Sequence, residues 1–262
     1  MFTLSEGGNY VTASGGSDEY DASAGNYDTI NYSSFRDGIK MTKSGAVRMI
    51  EKKNGDIDTL DGFESLTGTE GNDNLRVGLG NLASQISGGS GNDAIGGGGK
   101  ADMLTGGEGN DILNGRGGDD LLIGGGGNDS LNGGKGNDIL FTSSGYGYQY
   151  QAETDKMKGG QGSDLFVIEA PGQYSPGGGA ILIRDFKDGK DFIGLIGQDF
   201  GYYDYGVPSS DDLVFGDLSF SDSADGAVIS RGTEDLAVLK NVMASQLDRS
   251  DFVELVDISR EM

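Results

Sequence analysis

Hydrophobic residues in the middle of the chain recur at every ninth position, and an aspartate stands two positions before each of them. Residues 88–141 divide without a gap into the nonapeptides GGSGNDAIG, GGGKADMLT, GGEGNDILN, GRGGDDLLI, GGGGNDSLN and GGKGNDILF. Numbered from the first glycine, the eighth position is always aliphatic, at Ile95, Leu104, Leu113, Leu122, Leu131 and Leu140. The sixth position is always aspartate, at Asp93, Asp102, Asp111, Asp120, Asp129 and Asp138. Such a period predicts a solenoid of stacked units.

The pattern continues beyond both ends of this block in weaker form, and each weaker copy keeps a large hydrophobic residue at the eighth position. These copies are 68–76 with Asp73, 79–87 with Ser84 in the aspartate position, 150–158 with Asp155, and 159–167 with Asp164. The downstream copies resume the register after residues 142–149. We therefore predict that this segment is a single eight-residue insertion budding from one turn of the solenoid.

Each nonapeptide combines a glycine turn with a short strand. Glycine adopts positive φ at little steric cost, so a Gly-Gly-x-Gly run turns the chain sharply and leaves carbonyl groups free to point at a common centre. The tripeptide around the aliphatic position is a minimal strand whose middle side chain faces inward. Two turns and two strands then make one 18-residue coil, and successive coils stack at the strand spacing of about 4.8 Å.

Residues 18 apart lie above one another in such a stack, which places the aspartates in two rows. The first row contains Asp93, Asp111, Asp129 and, past the insertion, Asp155; the second contains Asp102, Asp120, Asp138 and Asp164. Carboxylates about 5 Å apart repel each other by roughly 3 kcal/mol at an effective dielectric constant of 20. A divalent cation between them converts repulsion into attraction, and a shell of carboxylate and carbonyl oxygens suits calcium better than magnesium.

The interior of this stack is only one side chain deep. Roughly ten buried aliphatic residues do not offset the entropy of ordering about ninety Gly-rich residues, at about 1–2 kcal/mol each. We therefore expect the repeats to be largely unfolded without calcium and to fold as they bind it.

Composition narrows the choice of partners and of chemistry. The chain carries 42 acidic and 19 basic residues, a formal net charge of -23, which argues against nucleic acid and anionic membrane surfaces and favours hard cations. It contains no Cys and no His, which excludes disulfides, zinc sites built on thiolate or imidazole, and a Ser-His-Asp triad. No stretch approaches 18 apolar residues, so we expect no membrane span. The first residues lack the features of a signal peptide, which predicts a cytoplasmic chain or export without an N-terminal signal.

The nonapeptide GGxGxDxUx, with U a large aliphatic residue, resembles the repeat of the RTX family (repeats in toxin, or hemolysin-type calcium-binding repeats) over residues 68–167. The resemblance implies an all-β fold, a right-handed parallel β-roll, with several Ca²⁺ ions held between turns on the same edge. It implies that the metal ligands are the nine repeat aspartates named above and the carbonyls of the turn glycines. Those glycines are Gly88, Gly89, Gly91, Gly97, Gly99, Gly106, Gly107, Gly109, Gly115, Gly117, Gly118, Gly124, Gly125, Gly127, Gly133, Gly134, Gly136, Gly159, Gly160 and Gly162.

Three positions depart from the family pattern. Ser84 weakens the site that it would share with Asp102, because it supplies no carboxylate. Lys100 replaces the glycine at the fourth position of its turn, and Arg116 replaces the glycine at the second position of another. We expect the calcium sites at these turns to be distorted.

The sequence predicts three regions: an irregular β-rich N-terminal cap over 1–66, the roll over 67–167, and an antiparallel β-sandwich-like cap over 168–262. In the N-terminal cap, degenerate repeats suggest further calcium at Asp28 and Asp58. A solenoid needs such caps because an open coil exposes a strand edge.

The C-terminal region resembles that of RTX exoproteins in one recurring motif. The motif I-x-DF-x-x-G-x-D-x-I is matched by Ile183, Asp185, Phe186, Gly189, Asp191 and Ile193. The resemblance implies an uncleaved signal read by a type I secretion machine, and hence an extracellular or cell-surface location. Asp185, Asp188 and Asp191 could hold another calcium ion, but we favour solvated turn residues.

These features favour a secreted calcium-binding module without catalysis, with a structural, surface or matrix-binding role. A second hypothesis makes the chain the C-terminal portion of a secreted enzyme, such as a protease, lipase or alginate epimerase. A third is a carbohydrate-binding module whose tyrosine clusters, at 146–150 and 200–205, stack on a surface or matrix polysaccharide.

Overall fold

The computed structural model describes residues 2–23, 27–44, 47–76, 83–142, 154–169, 180–196 and 215–255. Within these residues the chain forms two long sheets. The first sheet contains, in spatial order, β1 (Phe2–Thr3), β3 (Glu19–Asp21), β7 (Ile57–Asp61), β6 (Val47–Glu51), β5 (Lys40–Ser44), β9 (Asn74–Leu75), β11 (Ala94–Gly96), β13 (Ile112–Gly117), β15 (Ser130–Lys135), β17 (Lys156–Gln161), β19 (Ile181–Ile183), β23 (Glu234–Lys240), β22 (Gly226–Arg231) and β21 (Leu218–Asp222).

The second sheet contains, again in spatial order, β2 (Tyr10–Thr12), β4 (Thr29–Asn31), β8 (Ser65–Thr67), β10 (Gln85–Ser90), β12 (Met103–Glu108), β14 (Leu121–Gly126), β16 (Ile139–Phe141), β18 (Leu165–Glu169), β20 (Phe192–Ile196) and β24 (Phe252–Glu254). Short 3₁₀ helices lie at Phe215–Asp217, Ala244–Gln246 and Arg249–Asp251. Consecutive strands of the repeats alternate between the two sheets, so each coil contributes one strand to each. The predicted parallel β-roll is confirmed.

The register of the strands shows the length of one coil directly. Leu104 pairs with Leu122 in the second sheet, and Leu113 pairs with Leu131 in the first, an offset of 18 residues in both cases. After β15 and β16 the offset rises to 26 residues, as in the pairing of Leu131 with Met157. The extra eight residues confirm one insertion within that coil, and residues 143–149 of it lie outside the described residues.

The core is formed by the eighth-position side chains of the two sheets. Those of the roll are 0–1% exposed and belong to one continuous cluster that extends into both flanks. Neighbours on the same strand point outward, because side chains alternate along a strand: Leu113 is 0% exposed and Ile112 is 50% exposed. In the central repeats, 88–141, the buried layer is therefore one side chain per strand, as the sequence predicts.

The same sheets run through both flanks of the repeats. In the N-terminal flank, β3 pairs in parallel with β7, and β4 with β8, while β5, β6 and β7 form an antiparallel insertion in the first sheet. The domain boundaries at 66/67 and 167/168 stay predictions, since both sheets cross them.

Within the described residues of the C-terminal flank, antiparallel pairing is confined to β21, β22 and β23. The segment 180–195 does not fold back on itself as a hairpin. Its strands β19 and β20 enter different sheets and each pairs in parallel with the coil before it. The reason is that Ile183 and Ile193 continue the two core columns, so the turn between them is another turn of the roll.

Replacement of Leu113 by Ala is expected to destabilise the calcium-saturated protein by about 2–5 kcal/mol, because it empties a fully buried core position. The matched control is Ile112→Ala on the same strand, which removes an outward-facing side chain and should cost less than about 1 kcal/mol. Urea denaturation of both variants in excess calcium measures the difference. Equal losses would contradict a core built from the eighth position alone.

Candidate metal centre

The repeat aspartates form a hydrogen-bonded ladder along each edge of the roll. In each ladder, the backbone N–H of one aspartate donates to Oδ1 of the aspartate in the next coil. The first ladder runs Asp73, Asp93, Asp111, Asp129, Asp155, with distances of 2.7 or 2.8 Å. The second runs Ser84, Asp102, Asp120, Asp138, Asp164, Asp191, with distances from 2.7 to 3.2 Å. The structure thus brings all nine predicted aspartates together in two rows.

The second carboxylate oxygen, Oδ2, of several repeat aspartates is buried without a hydrogen-bond partner among the described residues. The aspartates with such an Oδ2 atom are themselves at most 3% exposed. They are Asp93, Asp111, Asp120, Asp138 and Asp164. A buried polar atom without a partner costs about 1–3 kcal/mol, and more when it is charged. A regular series of such atoms indicates that a cation belongs between the turns.

Carbonyl oxygens of the glycine turns lie close to the neighbouring coil and to the repeat carboxylates: a Cβ added to Gly106 would clash with both Oδ2 of Asp111 and the carbonyl oxygen of Gly124. A Cβ added to Gly107 would clash with the carbonyl oxygen of Gly89, and one added to Gly109 would clash with that of Gly91. Both Gly107 and Gly109 have positive φ, at 119° and 128°. The carbonyls at the second and fourth positions of one turn therefore point toward the following turn, which is the turn that carries Asp111.

This set of oxygen ligands fits calcium. The oxygens that lie at these turns belong to carboxylates and backbone carbonyls, and calcium takes six to eight oxygen ligands at about 2.3–2.6 Å. Among the described residues, no three acidic side chains converge on one point. Each ion would therefore draw most of its ligands from the turn carbonyls and only its charge balance from the aspartates.

Comparison with known proteins identifies the repeat. The family model for the RTX calcium-binding nonapeptide repeat matches residues 56–81, 87–122 and 114–148, in four copies. These residues are RTX calcium-binding nonapeptide repeats. No curated protein matched the sequence. Solved structures matched in 34 chains, among them the crystal structure of the extracellular lipase LipA from Serratia marcescens. That match has 16% identity and a TM-score of 0.29, and it covers 97% of this chain but only 38% of the lipase chain.

Burial changes the acidity of the RTX aspartates. It raises the pKa of Asp93 and Asp120 to about 7, and neighbouring carboxylates of the same row add to the shift, while the ladder hydrogen bond opposes it. Burial raises the pKa of Asp111 and Asp138 to about 6. The pKa values of Asp73, Asp155, Asp164 and Asp191 are raised by burial as well. Without a cation, Asp93 and Asp120 are therefore partly protonated near neutral pH.

Two of the departures from the RTX pattern alter their turns. In the turn that contains Lys100, the Gly98 N–H donates to Oδ2 of Asp102 while the Ser84 N–H donates to Oδ1, so both oxygens of Asp102 accept hydrogen bonds. Arg116 adopts a φ of 76° and extends its guanidinium group to the carbonyls of Gly97, at 2.7 Å, and of Arg76. The chain thus supplies its own cation beside a turn where we expected distortion.

The two additional calcium positions predicted in the N-terminal flank differ in the structure. Asp28 resembles the repeat aspartates, because Oδ1 accepts the Asn9 N–H at 2.7 Å and Oδ2 is buried without a hydrogen-bond partner among the described residues. Asp58 does not, because Lys52 and Tyr32 already bind its oxygens. Calcium at Asp28 stays a prediction, whereas the hydrogen bonds of Asp58 argue against calcium there.

Sequence reasoning also underestimated the acidic turn near the C-terminal flank. Asp191 is 1% exposed and belongs to the second ladder, and Asp185 accepts the backbone N–H groups of Gly159 and Gly160 at 2.9 and 3.0 Å. Only Asp188 is the exposed turn residue that we expected. The missed signal was that Asp191 and Ile193 take the sixth and eighth positions of a degenerate nonapeptide over 186–194.

Replacement of Asp111 and Asp129 together by Asn should remove about one or two bound calcium ions, because it takes charge from two adjacent coils of one row. The matched control is Asp119→Asn. Asp119 is exposed, and its Oδ1 accepts the Asn137 N–H at 2.7 Å, an interaction that Asn retains. Calcium stoichiometry from isothermal titration calorimetry should be unchanged in the control. Equal loss in both would place the ions on general surface charge.

Stability of the calcium-free protein should fall as pH rises from about 4 to about 7. The pKa values of Asp93 and Asp120 rise from 3.8 to about 7 in the folded state, so that state binds more protons than the unfolded chain within this range. Circular dichroism in calcium-free buffer should show more β-structure at pH 5 than at pH 8. A calcium-free protein that is more stable at pH 8 than at pH 5 would contradict the rise in the pKa of these carboxyl groups on folding.

Proposed function

We propose that this RTX protein is a structural module without catalysis of its own, whose repeats fold into a stiff rod when they bind Ca²⁺ outside the cell. The observation that carries the proposal is a series of buried carboxylate oxygens in the two rows that have no hydrogen-bond partner among the described residues. Such oxygens favour an ion over any organic substrate, since they recur identically along an edge and leave no single pair distinguished for catalysis.

Calcium supports folding through charge. The chain has a formal net charge of -23, and the two rows concentrate carboxylates at the strand spacing. Calcium neutralises this charge and is coordinated by the turn carbonyls, and its binding free energy contributes to folding. Because extracellular calcium-binding modules have dissociation constants of about 10⁻⁴–10⁻³ M, folding of this kind depends on the calcium level of the surroundings.

Export by a type I secretion machine is part of the same proposal. An acidic repeat region that stays unfolded where calcium is scarce suits passage through a secretion channel, and it folds after it emerges. The motif over 183–193, which resembles that of RTX exoproteins, supports this, and its aspartates and isoleucines also continue the roll. No helix among the described residues is long and apolar enough to cross a membrane.

The outward role that we favour is attachment to a surface or matrix. A rod with one buried layer and two metal-stiffened edges has the properties of a spacer or scaffold. The tyrosine clusters at 146–150 and 200–205, which would contact a polysaccharide, lie outside the described residues, and carbohydrate binding stays a prediction.

Titration with calcium followed by a chelator, monitored by far-UV circular dichroism, tests the proposed function. The β signal is expected to rise cooperatively with calcium and to be lost on chelation. The reason is that the entropic cost of ordering the repeats is offset only when the ions bind. Magnesium at the same concentration is the control, and it should give a smaller response because it retains its water. A β signal unchanged after calcium removal would overturn coupled folding.

A further inference from the structure

A buried lysine in the N-terminal flank binds the same kinds of atoms that face the predicted calcium positions. The Lys52 side chain is 3% exposed, and its Nζ donates to the carbonyls of Ser14 and Gly16 at 2.7 and 2.6 Å. Nζ also donates to Oδ1 of Asp58 at 2.8 Å, and the Asp58 side chain is fully buried. An ammonium group is thus surrounded by two backbone carbonyls and one carboxylate, away from water.

The two carbonyls that Lys52 contacts belong to a degenerate copy of the repeat. Residues 13–21 read ASGGSDEYD, a degenerate nonapeptide with Asp18 at the sixth position and buried Tyr20 at the eighth. In this numbering Ser14 and Gly16 are the second and fourth positions, and Gly16 has a positive φ of 90°, as the fourth-position glycines of the repeats do.

Asp58 lies in the coil that follows this degenerate turn. Strand β3 pairs with β7 so that Glu19 faces Thr59, and the Asp18 N–H donates to Oδ1 of Asp58 at 3.0 Å. This is the same ladder bond that joins Asp93 to Asp111 in the repeats. Lys52 Nζ therefore contacts the second- and fourth-position carbonyls of one turn and the aspartate of the next. The corresponding atoms in the repeats are the carbonyls of Gly89 and Gly91 and the carboxylate of Asp111.

We propose that the Lys52 ammonium group is a built-in cation that takes the place of calcium at this end of the roll. Its single charge balances the single carboxylate of Asp58, whose Oδ2 accepts the Tyr32 hydroxyl at 2.8 Å. The Phe35 ring, with its centroid 5.4 Å from Nζ, covers the ammonium group further. The turn that contains Asp18 and the strand that follows Asp58 are consequently held together without calcium, and they present a ready strand edge on which the calcium-dependent coils stack.

The opposite end of the roll has a weaker version of this contact. Lys187, at the second position of the last degenerate turn, donates to the carbonyl of Gly160, which is itself a second-position carbonyl. Its charge also counteracts the rise in the pKa of Asp164 and Asp191. Lys187 is exposed, so we base the proposal on the enclosed Lys52.

The inference rests on the proposed function, because it presumes that the repeats themselves need calcium. Hydrogen exchange of the full chain in calcium-free buffer separates the two. We expect residues 10–21 and 57–61 to exchange at least about tenfold more slowly than the repeat strands within 88–141. Slow exchange of the repeat strands would overturn the proposed function. Exchange of residues 10–21 and 57–61 as fast as that of the repeat strands would overturn the built-in cation alone.

Substitution of Lys52 tests the chemistry of the site. Lys52→Met keeps an unbranched side chain but removes the charge, so protection of residues 10–21 should be lost without calcium and restored by it. This variant should bind one more calcium ion per chain than the unsubstituted protein, measured by titration calorimetry. Lys52→Arg, which keeps a cation, should remain protected without calcium.

A second substitution distinguishes a new ion site from general loosening. Lys52→Met combined with Asp58→Asn removes the carboxylate that an ion would need, so the extra calcium should disappear. The built-in cation is overturned if Lys52→Met stays protected without calcium. It is also overturned if calcium fails to restore protection, or if the extra ion persists after Asp58→Asn.

Discussion

The hydrogen bond from the N–H of one aspartate to the carboxylate of the aspartate in the next coil sets the geometry on which the rest of this roll depends. It satisfies one carboxylate oxygen and one buried N–H group in every coil, and it fixes the stacking of successive turns. In Asp93, Asp111, Asp120 and Asp138 the second carboxylate oxygen is buried and has no hydrogen-bond partner in the described part of the chain. A stack held together in this way accumulates negative charge in proportion to its length, so its stability depends on a cation.

Glycine and the aliphatic columns follow from this constraint. The turns must approach closely enough for the ladder bonds to form, and a Cβ at Gly107 or Gly109 would clash with the turn before it. Close turns leave room for one inward side chain per strand, which is why the eighth position carries Leu or Ile throughout the central repeats. The thin core in turn limits the hydrophobic contribution, so hydrophobic burial alone does not hold the roll together.

The central coils could be predicted from the sequence because an unbroken 18-residue spacing determines which residues meet. That spacing correctly placed Asp155 and Asp164 in the rows despite the insertion between them. The flanks were harder to predict because their coils differ in length: Tyr20 pairs with Leu60 and Ile30 with Leu66, offsets of 40 and 36 residues. Contacts at such separations leave no local period. The partner of Asp58 was missed for a similar reason, since Lys52 lies outside any repeat position and reaches the site only through the antiparallel insertion of β5 and β6.

Lysine and calcium then appear as two solutions to one electrostatic problem, a buried carboxylate beside converging carbonyls. The most direct test is a crystal structure of the calcium-saturated protein with anomalous diffraction data that locate the ions. We predict peaks between successive turns in both rows, about 2.3–2.6 Å from oxygens such as those of Gly89, Gly91 and Asp111, and no peak beside Lys52. Empty rows, or ions bound only to exposed carboxylates such as Asp119, would contradict the account.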